Sequence, residues 1–150
     1  MPTTDVVDTW ERFVRFHRAT TKAMDQNLRT AFGHTLDDYD ILHQINRQGG
    51  PIRMGDLAQQ LLFADSSCHR LVTKLVDRGL IQRRHDEADR RVVLVELTND
   101  GKRLRRRMAA THTKDIRRLV GEPIGASDLA TLDTTLQHLL EAPAEQCRGE

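Results

Sequence analysis

Within nine consecutive positions, Ser66, Ser67, His69, Arg70, Thr73 and Lys74 set short hydroxyl groups among basic side chains. On a helix these six share one face. Cys68, Leu71, Val72, Leu75 and Val76 fall on the other, at the i, i+3, i+4, i+7, i+8 spacing of a buried stripe. A merely solvated helix more often shows Glu and Lys pairs, whereas hydroxyls mixed with cations suit a polyanionic partner rich in hydrogen-bonding groups. A second cluster, Asp89-Arg90-Arg91, lies about twenty residues on. There a carboxylate two positions from a guanidinium can hold it extended through a charge-assisted hydrogen bond.

The charge balance agrees with this reading. The whole chain of 150 residues has a formal net charge of only +1. Between Asp65 and Arg107, however, twelve Lys/Arg stand against seven Asp/Glu, so the remainder is net acidic. Aromatic residues are 4% and charged residues 30%, which suits a helix-rich soluble protein rather than a β-sandwich. No apolar run approaches the ~20 residues that span a bilayer, and the opening MPTTDVVDTWERF does not read as a signal peptide. Cys68 and Cys147 form no disulfide framework, and a reducing cytoplasm is the expected compartment. No nucleophile elbow, phosphate loop or paired-carboxylate motif occurs, so neither catalysis nor a cofactor is expected.

The elements that must position the two clusters follow from periodicity and punctuation. Val6, Trp10, Phe13, His17, Met24, Leu28 and Ala31 mark one long helix with an apolar stripe, ended by Gly33. That stripe is longer than a small core can cover, which implies association. Thr35 and Asp38 form a capping-box-like start to a second helix, running through Tyr39, Ile41, Leu42 and Ile45 to Gln48. After Gly49-Gly50-Pro51, Ile52-Arg53 is extended and Met54 to Leu62 is a third helix. Asp65 is expected to cap a fourth, Ser66 to Arg78, terminated by Gly79. Leu80–Arg84 and Arg91–Leu97 read as strands flanking a polar loop. Thr98 caps a fifth helix to about Leu119, and Ser127 is expected to cap a sixth from Asp128 to about Glu141; the last nine residues read as frayed. The fold class is mainly α with a small β-hairpin. Two short helices with a tight link, followed by a charged hairpin, describe a winged helix-turn-helix, whose outer helix is kept free for a DNA major groove.

In the hairpin, Asp89-Arg90-Arg91-Val92-Val93-Leu94-Val95-Glu96-Leu97-Thr98 fits D-x-R-x-x-x-V-x-L-T, which resembles the wing signature of the MarR family in every fixed position. Leu57-Ala58, Leu71-Val72, Arg78-Gly79-Leu80 and Thr98-Asn99-Asp100-Gly101 are similar to that family's framework. The likeness is close over about residues 35–105. It implies a single MarR-type domain over 1–150, with dimerisation helices at about 5–32 and 99–141 and the winged helix-turn-helix at about 35–98. It implies a cytoplasmic homodimer, a regulator and most often a repressor, gripping a pseudo-palindromic operator in double-stranded DNA. By that likeness Ser66, Ser67, His69, Arg70, Thr73 and Lys74 face the major groove. Arg91 enters the minor groove with Asp89 orienting it, and Arg90 meets phosphate. The chain departs from the family at Ala64, where a Ser commonly starts the recognition helix.

The family's small aromatic or phenolic effectors occupy a pocket for which Trp10, Phe13, His17, Tyr39, His43 and Met54 are the candidate lining here; plain core packing is the competing role. Asp40 and His112, with His34 near, fall where some metal-sensing relatives place ligands, although no Cys/His cluster signals zinc. A metal-responsive regulator of the same fold is therefore one alternative. The other is a winged-helix protein-interaction module, which is expected to lack the polar-basic helix face and Arg91. Cys68 falls on the buried face of its helix, where inert packing is expected.

Overall fold

The structure is a computed structural model that describes residues 4–142. The chain divides into two compact units, Met1–Thr113 and Lys114–Glu150. Among the described residues no helix is long and apolar enough to cross a membrane.

The first unit opens with α1, Val6–Phe32, whose first turn is capped by the Asp5 carboxylate accepting from the Val7 and Asp8 amides at 2.7 and 3.2 Å. Gly33, at φ 70°, ends it in the left-handed region. In α2, Leu36–Gln48, the expected capping box is complete: the Asp38 amide donates to Thr35 Oγ1, and the Thr35 amide to Asp38 Oδ2, both at 3.0 Å. Tyr39, Ile41, Leu42 and Ile45 of α2 pack inward with Leu28 of α1. The short strand β1, Ile52–Arg53, leads into α3, Met54–Leu61. The link that follows contains Leu62 at φ 56° with its side chain 91% exposed, and Phe63 returns its amide to Ala58 O.

The fourth helix, α4, spans Asp65–Asp77. Its N-cap is Ala64, which makes no side-chain cap bond, and Asp65 is the first helical residue. The expected Asp65 cap is thus corrected by one position; inside the first turn its carboxylate still favours the positive end of the helix dipole. At the other end the Gly79 amide reaches Val76 O and the Leu80 amide reaches Leu75 O, the paired return of a Schellman motif. Strands β2, Ile81–His85, and β3, Val93–Leu97, pair antiparallel with Ile81 opposite Leu97 and His85 opposite Val93. The expected two-stranded hairpin is in fact a three-stranded sheet of order β1-β3-β2, because Ile52 pairs with Val95. The first strand keeps its expected five residues one position later, and the second begins two residues later than expected, leaving Arg91 and Val92 before it.

One continuous core joins these elements, with Leu28, Ile41, Leu42, Leu57, Leu75, Ile81, Val95 and Met108 fully or almost fully enclosed. Each such side chain stabilises the fold by roughly 1.5–3 kcal/mol relative to exposure. The fifth helix, α5, Asn99–Ile116, begins where the Thr98 hydroxyl caps the Gly101 amide at 3.0 Å and the Thr98 amide donates to Leu80 O at 3.1 Å. Gly101 lies so close to this contact that an added Cβ would overlap the carbonyl oxygen of Leu80.

In the second unit, regular α-helix gives way at Ile116 to a π turn, Arg117–Gly121, short of the expected end near Leu119. The last helix, α6, spans Ala126–Glu141 with Gly125 as N-cap and no side-chain cap bond, which corrects the expected Ser127 cap. A glycine backbone already adopts the extended cap conformation, leaving Ser127 inside the first turn. Leu129, Leu139 and Leu140 of α6 are exposed.

Candidate nucleic-acid interface

The buried stripe of α4, with Cys68, Leu71, Val72 and Leu75 against the core, turns Ser66, His69, Arg70 and Thr73 outward and leaves Ser67 half-buried. Thr73 does two things at once. Its hydroxyl donates to His69 O at 2.8 Å and accepts a hydrogen bond from the Arg83 guanidinium, joining the middle of α4 to β2. Lys74 departs from the other five. Its Nζ lies 2.6 Å from Oδ1 of Asp38, a carboxylate with no exposed surface. The ammonium is therefore directed into the lobe rather than outward from the helix.

The wing turn is closed by the Asp86 amide on Val92 O and the Val92 amide on Asp89 O. Around it Asp89 and Arg91 form a fork: Arg91 Nε donates to Asp89 Oδ1 at 3.1 Å and Nη2 to Oδ2 at 3.2 Å, and the Arg91 amide also donates to Oδ1. These bonds from Arg91 hold the Asp89 carboxyl below its ordinary pKa, with Arg53 of β1 adding to the effect despite a small opposing desolvation. The Arg91 side chain is 91% exposed all the same, so its outer edge is free to meet a second anion. Arg90, beside it, is exposed as well.

Between α4 and the wing lies an open cavity of about 300 Å³ lined by Met54, His69, Arg83, Arg84, His85 and Val93. Arg84 is 3.8 Å from Glu96 across the sheet. Arg83, Arg84 and His85 are absent from the residues singled out in the sequence, although the signal was present. In β2 the side chains of Ile81, Arg83 and His85 alternate onto one face, and only the first is buried.

The six candidate effector residues separate into groups. Trp10, Phe13 and His17 line up along α1 with ring centroids 6.0 and 6.3 Å apart, and all three are exposed. Tyr39 stacks on His43 at 5.4 Å and meets His112 at 4.8 Å, whereas Met54 is buried beneath the cavity between α4 and the wing. His43 Nδ1 and Arg105 Nε are buried with no hydrogen-bond partner. Burial, with the nearby Arg105 and Arg47 charges, lowers the His43 pKa. The metal candidates do not assemble. His34 lies 3.3 Å from Asp38, and no group of three potential ligands occurs among the described residues. Asp40 is half-buried, and desolvation, with some repulsion from Asp37, pushes its carboxyl up to about 6. Cys68 is fully buried and its thiol pKa is raised, again chiefly by burial; Cys147 lies outside the described residues.

A MarR family model matches residues 32–92, from the end of α1 through the wing turn. AbsC, a MarR family transcriptional regulator from Streptomyces coelicolor, is 29% identical, aligns over 100% of this chain and 99% of its own, and superposes with a TM-score of 0.83. A second MarR family regulator from the same organism, solved in complex with DNA, gives a TM-score of 0.84 at 20% identity, over 97% of this chain and 94% of its own. CouR from Rhodococcus jostii RHA1, solved with p-coumaroyl-CoA bound, gives 0.78 at 25% identity, over 91% and 94%. No curated protein matches the chain in sequence. The framework motifs, the three-stranded winged lobe and these likenesses agree: the chain has the fold of the MarR family of winged helix-turn-helix transcriptional regulators and matches that family's model over residues 32–92.

Proposed function

We propose that this protein is a cytoplasmic, homodimeric repressor that binds a pseudo-palindromic operator, with α4 in the major groove and Arg91 in the minor groove. The observation that carries the reading is the Asp89–Arg91 fork, a guanidinium held in one orientation yet exposed, on the lobe whose α4 exposes Ser66, His69, Arg70 and Thr73. A narrow minor groove concentrates negative potential, and a pre-oriented guanidinium loses less freedom on entering it. The Arg83–Thr73 hydrogen bond ties α4 to β2 of the wing, so both elements can meet one face of a duplex. The DNA complex of a structural neighbour supports the same partner.

A second chain is the occupant that fits the apolar faces. Val6, Trp10, Phe13 and Phe16 of α1 are exposed in the first unit, as are Leu129, Leu139 and Leu140 in the second. A small aromatic or phenolic effector fits the Tyr39, His43 and His112 rings, where Arg105 and His43 each keep an unpartnered nitrogen for a carboxylate or phenolate. The p-coumaroyl-CoA complex of CouR lends support to that chemistry. Such a ligand would weaken DNA binding only through unequal affinity for the two states of the dimer.

Selection of bound fragments from genomic DNA, followed by gel shift against an unrelated duplex, tests the reading. Fragments sharing a palindromic site bound well above the unrelated duplex are expected. Equal retention of all duplexes contradicts it.

A further inference from the structure

We propose that Asp38 is a positioning residue for DNA recognition: through Lys74 it sets the placement of α4, and Lys74 serves that link instead of touching DNA. The inference rests on the DNA-binding reading above. Asp38 is well suited to be a fixed point. It has no exposed surface, it is held by the capping box of α2, and its other oxygen faces Lys74 Nζ at 2.6 Å. A buried carboxylate left without its cation is costly, so the pair resists separation. Four residues on, at the C-cap of α4, the Arg78 guanidinium lies 3.3 Å from Gly33 O and 3.4 Å from His34 Nδ1. His34 in turn contacts Asp38. Two cations four residues apart, Lys74 in the last turn of α4 and Arg78 at its C-cap, thus grip Gly33, His34 and Asp38, the joint at which α1 turns into α2.

The consequence is mechanical. Rotating or sliding α4 enough to redirect Ser66, His69 and Arg70 would draw Lys74 away from Asp38. The joint also ends the helix that carries the exposed apolar face, so the grip ties the orientation of α4 to α1.

The test uses the full chain and a duplex that the wild-type protein selects from random-sequence DNA, beside an unrelated duplex. Affinities are read by fluorescence anisotropy over a range of salt. If Lys74 positions α4, Lys74→Met and Asp38→Asn each weaken binding to the selected duplex by about tenfold, and the double variant is no weaker than either single one. Affinity for the unrelated duplex and the salt slope stay as in wild type, and Lys74→Arg recovers part of the loss. If Lys74 instead neutralises a phosphate, Lys74→Met weakens both duplexes alike and lowers the salt slope by about one, while Asp38→Asn tightens binding. Either of those results overturns the inference. Lys74→Met leaves the capping box intact, so it decides the matter even if Asp38→Asn unfolds. A wild-type protein that prefers no duplex overturns the DNA-binding reading itself, a result distinct from the phosphate outcome.

Discussion

Arg91 has two parallel hydrogen bonds to Asp89 and no contact that the core needs, so its removal separates recognition from folding. Arg91→Ala is expected to weaken operator binding by ~1–3 kcal/mol with an unchanged melting temperature. Arg91→Lys keeps the charge without the planar fork and recovers only part of that. Asp89→Asn removes a negative charge that repels DNA and also loosens the fork; an intermediate loss of affinity is expected. If Asp89→Asn tightens binding at moderate salt, charge repulsion outweighs orientation and the role given to Asp89 is wrong. Asp40 yields a prediction of a different kind. Its carboxyl is pushed up to about 6 from an ordinary value near 3.8, so the native state prefers it protonated. Both states are protonated below about pH 4, where burial carries no penalty. The penalty develops as pH rises toward 6 and is complete above it. Asp40→Asn is therefore expected to raise the melting temperature at pH 7.5 and leave it unchanged near pH 4. An equal gain at both pH values contradicts the burial argument.

Among the elements, the contact between the start of α5 and Leu80, in the link from α4 to β2, offers the sharpest structural test. A methyl group at residue 101 would overlap Leu80 O, the same oxygen that accepts the Thr98 amide. Gly101→Ala is expected to cost roughly 1–3 kcal/mol, read in a urea titration, because backbone rather than a flexible side chain must give way. Stability equal to wild type contradicts the close approach. The elements themselves were largely legible in the sequence, since Thr35, Asp38, Gly33 and Gly79 act locally and the apolar stripe of α4 has a clean period. Local signals failed where the partner is distant or where no side chain is involved. Ala64 and Gly125 cap helices through backbone alone, the π turn at Arg117–Gly121 leaves no pattern, and β1 joins the sheet through a residue 43 positions away. Lys74 read as one more cation on an outer face because Asp38, the group that turns it inward, lies 36 residues earlier. The candidate effector residues scattered for the same reason: a periodic stripe shows which side chains share a helix face, not which faces meet.

At the scale of the whole molecule, a near-neutral chain distributes its charge and its apolar surface unevenly. The basic excess between Asp65 and Arg107 falls mostly on the first turns of α5, whereas α4 and the wing, from Asp65 to Leu97, set seven Lys/Arg against six Asp/Glu. Exposed Trp10, Phe13 and Phe16 on α1, and exposed leucines on α6, are surfaces that a second chain would cover. One lobe alone would read a single half-site, whereas two lobes held together read a palindrome. The most direct measurement of this account is hydroxyl-radical footprinting on the selected duplex, with the stoichiometry of the complex determined by sedimentation equilibrium. Two symmetric protected patches about one helical turn apart, roughly 34 Å, with two chains per duplex, are the predicted result. A single protected patch with one chain per duplex would contradict it.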